Sequence, residues 1–201
     1  MITRFGLVQK RDDMTLEEFN KHWQEKHGPI VARMDSIRHY RQNLVTNSQQ
    51  LGIGFATRSP ITVDGFSELC WDNVHDMNKG IMSQAAAAQE DLKLFTKQSQ
   101  ILVTLKRKVI PYRENYGHPL IKRMTLLKRN PEMSSERFDW EWLGLHGEMV
   151  KFMPNVVAYH QNVILDRIID GKSVPYEEMP YDGIVEMWFE SVEKLEECFA
   201  S

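Results

Sequence analysis

ITRFGLVQKRDDMTLEEFNKHWQEKHGPIVARMDSIRHYRQNLV (residues 2–45) recurs without a gap as IKRMTLLKRNPEMSSERFDWEWLGLHGEMVKFMPNVVAYHQNVI (residues 121–164). Fourteen of the 44 aligned pairs are identical, whereas unrelated segments of average composition match at roughly one position in twenty. The shared residues include Phe19/Phe138, Trp23/Trp142, His27/His146, Gly28/Gly147, Tyr40/Tyr159, Gln42/Gln161 and Asn43/Asn162. Similarity resumes one residue out of step, where Asp64-Gly65-Phe66-Ser67-Glu68-Leu69 faces Asp182-Gly183-Ile184-Val185-Glu186-Met187. A period this long marks a duplicated domain rather than a solenoid.

Working outward, each copy opens on a strand, Ile2 to Gln9 and Ile121 to Lys128. Thr15-Leu16-Glu17-Glu18 is a capping-box signature, and Ser134 or Ser135 starts the second helix. Phe19, Trp23 and His27 then fall at i, i+4 and i+8, one drifting helical stripe, matched by Phe138, Trp142 and His146. Gly28-Pro29 is expected to interrupt the first of these helices. Strands follow at Tyr40 to Thr46 and Tyr159 to Leu165, then at Phe66 to Trp71 and Ile184 to Phe189. The Ser-, Gly- and Thr-rich stretch 47–62 reads as a loop. A helical region with a break is expected from Asp72 to Lys97, and a fourth strand from Gln100 to Arg107. The order βαββαβ is the ferredoxin-like motif. The second copy stops inside its second helix, with no counterpart to the strand at 100–107. The expected division is residues 1–110, a Pro/Gly-containing linker at 111–119, and residues 120–201.

Composition narrows the function. The 201 residues are 42% hydrophobic and 26% charged, ordinary globular usage. A net charge of −3 without a basic stripe disfavours nucleic acid as partner. Two cysteines cannot build a disulfide framework. No apolar run approaches the length needed to span a bilayer, and the first residues lack a secretory signal, so a cytoplasmic location without membrane contact is expected. There is no GxGxxG after a strand, no P-loop, no HExxH and no CxxC. No metal site is called: His22 and His27, at i and i+5, are expected on different helix faces, and only His118, His146 and His160 look free to converge.

Phe19-x3-Trp23-x3-His27-Gly28-Pro29, then Tyr40-x-Gln42-Asn43, then Asp64-Gly65-x2-Glu68, resembles the EthD family of the dimeric α+β barrel superfamily. The second copy repeats the pattern, except that Glu148 stands where Pro29 stands in the first, which puts the turn after His146 in doubt. The resemblance implies an α+β fold of two ferredoxin-like units forming an α+β barrel, with the two sheets facing each other, the helices outside and a pocket between the sheets. It implies a partner that is a small-molecule substrate. The strand missing from the second unit could leave an edge for a homodimer.

The chemistry is carried first by His27 and His146. Imidazole titrates near neutral pH and can take a proton from an acidic carbon without a cofactor. The enolate so formed needs a donor, and Tyr40 with Asn43, or Tyr159 with Asn162, could supply it. Lactone isomerases of the family carry such a histidine beside polar groups, which maps to His27 and Tyr40. Trp23 and Trp142 would flank a substrate or pack as core. The competing reading of both His-Gly pairs is capping in the last turn of a helix. Glu68 and Glu186 read as surface charges or as acids within the fold. The expected function is a cofactor-free lyase or isomerase (dehydratase, cyclase or lactone-isomerase type) acting on a small apolar or aromatic carbonyl compound. The alternatives are a non-catalytic binding or accessory protein in a degradation pathway, and an oxidoreductase of the same superfamily.

Overall fold

The computed structural model describes residues 1–49, 51 and 61–200. Most of the 47–62 loop, including Gly52-x-Gly54, lies outside the described residues. The chain forms two compact units. One comprises residues 1–48, 60–105 and 165–179; the other comprises 49–59, 106–164 and 180–201.

In the first unit, β1 (Ile2–Lys10) lies between β3 (Gly65–Trp71) and the start of β4 (Thr96–Ile110), and β2 (His39–Leu44) flanks β3. The order β2-β3-β1-β4 is the antiparallel ferredoxin-like sheet. Ile2, Arg4, Gly6 and Val8 share one face with Leu69, Ile101 and Val103 by register. That face packs under α1 (Leu16–His22), α2 (Gly28–Val31) and α3 (Val74–Phe95), burying Trp71, Met34, Val31 and Ala88. The end of β6 (Ala158–Ile169) and β7 (Lys172–Ser173) also belong here. Their turn, Asp170-Gly171, has positive φ at both residues, the twist-matched two-residue hairpin, and Asp170 bonds to Ser99 through both its amide and its carboxylate.

The second unit repeats β5 (Ile121–Leu127), α4 (Ser135–Asp139), α5 (Gly147–Val150), β6, β8 (Gly183–Phe189) and α6 (Val192–Ala200). Its strand order is β4-β6-β8-β5, so residues 106–110 of β4 provide a fourth strand, beside β6 rather than beside β5. Both copies turn after the helix through a left-handed residue, Ser36 in one and Asn155 in the other.

The capping box at Thr15 is formed, with the Glu18 amide donating to Thr15 Oγ1 and the Thr15 amide to Glu18 Oε2. In the second unit Ser134 is the cap. The Asp-Gly pairs do two jobs. Asp64 accepts the Lys10 amide and Asp182 the Arg129 amide, each at 2.8 Å, while a Cβ on Gly65 or Gly183 would fall inside the ring of Trp23 or Trp142. Among the described residues no helix is long and apolar enough to cross a membrane.

Three expectations are corrected. Gly28-Pro29 does not interrupt the helix. A π-helical turn, Trp23–His27, widens the spiral ahead of the proline and α2 continues. The second unit has the same π turn, Trp140–His146, followed by α5, so Glu148 in place of Pro29 leaves the turn alike. The helix after β3 runs unbroken for 22 residues, because Gln84 to Ala88 are strong helix formers and Asn73 caps it.

Candidate functional site

The π turn sets the geometry of the site. In a regular helix, residues five apart diverge; in the wider turn His22 and His27 come to the same side, correcting the expectation that they face apart. Both reach Asp91 on α3. His22 Nε2 lies 3.0 Å from Oδ1 and His27 Nδ1 lies 2.9 Å from Oδ2. Phe95, one turn on, packs against both imidazoles at 4.9 and 5.2 Å. The Trp23 carbonyl accepts the Gly28 amide in the π turn and also accepts from Gln42 Nε2 at 2.7 Å. Burial holds the His27 pKa below its ordinary value, with the Asp91 hydrogen bond opposing that shift. Neutral His27 therefore carries its proton on Nδ1, donated to Asp91, and Nε2 is left over.

That ring lines a cavity of about 80 Å³ inside the first unit, between its sheet and its helices. Trp23, Tyr40, Arg4, Leu92 and Gln100 share the wall. The Tyr40 hydroxyl accepts from Gln42 Nε2 at 2.8 Å, so its own hydrogen is available to another acceptor. Burial pushes the Tyr40 pKa up to about 12, against that hydrogen bond, so it remains a donor at neutral pH. Arrays of this kind, a base oriented by a carboxylate beside a hydroxyl donor, suit proton transfer at carbon.

Sequence-predicted residues divide by face. His27, Tyr40 and Trp23 meet at the cavity. Asn43 does not: it lies on the opposite face of the strand, donating to Glu68 Oε1 at 2.7 Å and the Phe66 carbonyl at 3.0 Å. Asn162 repeats this with Glu186 and Ile184. In the second unit Trp142 and Tyr159 are buried, and Gln161 Nε2 donates to the Trp142 carbonyl at 2.6 Å. His146 is exposed there, 6.3 Å from the Tyr159 ring, and burial lowers its pKa with no carboxylate opposing. Neither His27 nor His146 ends a helix, which removes the capping explanation.

The EthD domain family matches residues 11–99 and 130–201. The chain belongs to that family. No curated protein matches it. Among solved structures, it is similar to an anthrone oxidase-like protein over 97% of this chain and 75% of that one, at 12% identity and a TM-score of 0.61. It is also similar to a candidate monooxygenase from Lactobacillus acidophilus NCFM over 96% and 79% of the two chains, at 8% identity and a TM-score of 0.50. An EthD family protein from Bacillus halodurans C-125 covers 51% of this chain and 95% of its own, at 15% identity and a TM-score of 0.41. At these identities the likeness establishes the α+β fold.

Two residues of the candidate site escaped the sequence reading. Asp91 lies outside the aligned stretches of the repeat, so the comparison of the two copies does not single it out. Its signal was available: Ala88, Leu92 and Phe95 form a buried stripe, and Asp91 interrupts it with an acid. Arg4 sits on the buried face of β1 between Ile2 and Gly6, a charge where alternation calls for an apolar side chain. The glutamates are not surface charges. Glu68 is buried and Glu186 fully so, with Lys122 Nζ at 2.6 Å, Lys106 Nζ at 2.9 Å and His160 Nδ1 at 3.7 Å. Although burial alone would raise the Glu186 pKa, Lys122, His160 and Lys106 hold it well below the usual carboxylate value. His118 is exposed and His160 buried, and among the described residues no three metal-ligating side chains converge.

Proposed function

We propose that the first unit is a proton-transfer enzyme of the lyase or isomerase kind, acting without a cofactor on a small apolar or aromatic carbonyl compound. The observation that carries this is the His27–Asp91 pair at the wall of an internal cavity, with the Tyr40 hydroxyl on the same wall. His27 Nε2 removes a proton from the carbon next to a carbonyl. Asp91 keeps Nδ1 protonated and stabilises the imidazolium that forms. The electron pair moves onto the carbonyl oxygen, and the Tyr40 hydroxyl donates to that enolate. His27 then returns the proton to another atom, giving an isomer, or to a departing group, completing an elimination. Trp23, Leu92 and Met34 supply the apolar wall.

The enolate has a third fate, reaction with dioxygen, and the fold neighbour called anthrone oxidase-like favours keeping it as a second reading. One assay separates these. Acetylacetone and small cyclic 1,3-diketones are incubated with the protein in D₂O, with C–H exchange followed by NMR and oxygen followed by electrode. Wild-type exchange that is lost in His27→Ala and Asp91→Asn supports the proposal. Oxygen uptake coupled to exchange selects the oxidase. Exchange that is equal in wild type and both variants removes the histidine mechanism, and wild type without exchange points to a binding or accessory role.

A further inference from the structure

Arg4 is the one permanent cation among the residues lining the cavity, and no aspartate or glutamate lines it. Among the described residues Arg4 makes no hydrogen bond or ion pair, and its Nε is buried without a partner. Register places it between Leu69 and Val103 on the helix-facing side of the sheet, so its stem is packed in apolar surroundings. Asp91, the acid of the site, is engaged by His22 and His27. The duplication supplies a control. Arg123, the same residue in the second unit, donates to the Leu51 carbonyl at 2.6 Å and lies 4.8 Å over the Phe199 ring. The fold thus caps this arginine in one unit and leaves it open in the unit that has the cavity.

We propose that Arg4 is an anion-binding residue, and that the cavity takes a small ring compound bearing a carboxylate. This deepens the reading above, on which it rests for the cavity being the substrate site. A guanidinium offers a planar fork that a carboxylate fills with two charge-assisted hydrogen bonds, and removal from water strengthens both. Arg4 is half-buried, with its Nε out of reach of solvent and unpartnered, and a bound carboxylate would supply the acceptor that the protein does not. Burial pushes the Arg4 pKa down to about 10, which still leaves it a cation at neutral pH. The carboxylate would fix the ring while His27 and Tyr40 act at a carbonyl on it.

The test titrates the full chain with benzoate and with its neutral isostere benzamide, reading Trp fluorescence and ligand-observed NMR. Benzoate should bind wild type at least about tenfold more tightly than benzamide. Arg4→Met should abolish that preference with little change in melting temperature, whereas replacing a merely structural arginine would lower the melting temperature. Arg4→Lys, which keeps the charge but not the fork, should retain a reduced preference and covers the case in which Arg4→Met fails to fold. His146→Ala, in the other unit, should keep the preference intact. The inference is overturned if benzamide binds as well as benzoate, if neither binds, or if Arg4→Met retains the preference. Proton exchange that survives any of those results leaves the catalytic reading standing, while a retained preference with exchange unaffected by His27→Ala removes that reading alone.

Discussion

A buried imidazole is fixed in one tautomer by whatever accepts its proton, and for His27 that acceptor is Asp91 at 2.9 Å. Asn at position 91 would present an amide whose donor can face the ring and turn it to the wrong tautomer. Asp91→Asn should therefore lower kcat by roughly 10²–10⁴-fold with little change in melting temperature. Steady-state rates beside a thermal melt check both halves of that statement. The pH dependence follows from the same residue. The pKa of His27 lies below the ordinary 6.5 because burial disfavours the imidazolium. The acid limb of kcat/KM should accordingly fall below pH 6.5. For stability the sign is the same. The unfolded chain binds more protons at this site, so its contribution is complete above 6.5 and is lost as pH falls through the folded-state value. Urea melts of wild type and His27→Gln at pH 7.5 and below 6.5 should converge on the acid side. Parallel curves would remove this account.

At the scale of elements, the π turn and the Asp-Gly strand starts work together. Trp23 can lie flat on β3 because Gly65 has no side chain, and that placement puts the following turn, with His27, over the sheet. Gly65→Ala should cost about 1–3 kcal/mol by overpacking. Trp23→Phe should recover part of the loss in the double variant, which a double-mutant cycle by urea denaturation measures. The strands, the caps and the stripe Phe19-Trp23-His27 were all legible, because alternation, capping chemistry and helical spacing are local and were written twice. The π turn was not. Apolar spacing at i, i+4 and i+8 accommodates one extra residue per turn without losing its face, so hydrophobicity carries no mark of it. Asn43 was misplaced for a related reason: it repeats with Tyr40, yet three residues along a strand reverse the face. The unbroken α3 was obscured because four alanines fit a loop or a helix equally until the Asn73 cap and the buried Ala88 are seen.

Over the whole molecule, repetition reports what two copies share, whereas function here rests on what they do not. Fold was readable because both units need the same strands, caps and tryptophan-glycine contact. The candidate site was half readable: His27, Tyr40 and Trp23 belong to the shared set, while Asp91 lies outside the aligned stretches and the open state of Arg4 differs from its counterpart Arg123. His146 has kept the residue type and lost the setting, since it is exposed whereas His27 is buried against Asp91. The tyrosine beside it is fully buried, and the amide that braces that tyrosine, Gln161, also has Arg107 Nη1 at 3.4 Å from its Oε1. Among the described residues this exposed imidazole has no orienting carboxylate, so its tautomer is not fixed. His146→Ala should then leave exchange activity within about twofold of wild type and stability within about 0.5 kcal/mol, as for other surface substitutions. His27→Ala should abolish exchange, and the double variant should match His27→Ala alone. Equal losses in the two single variants would mean that both units turn over substrate, and the asymmetry drawn from the buried and the exposed histidine would be wrong.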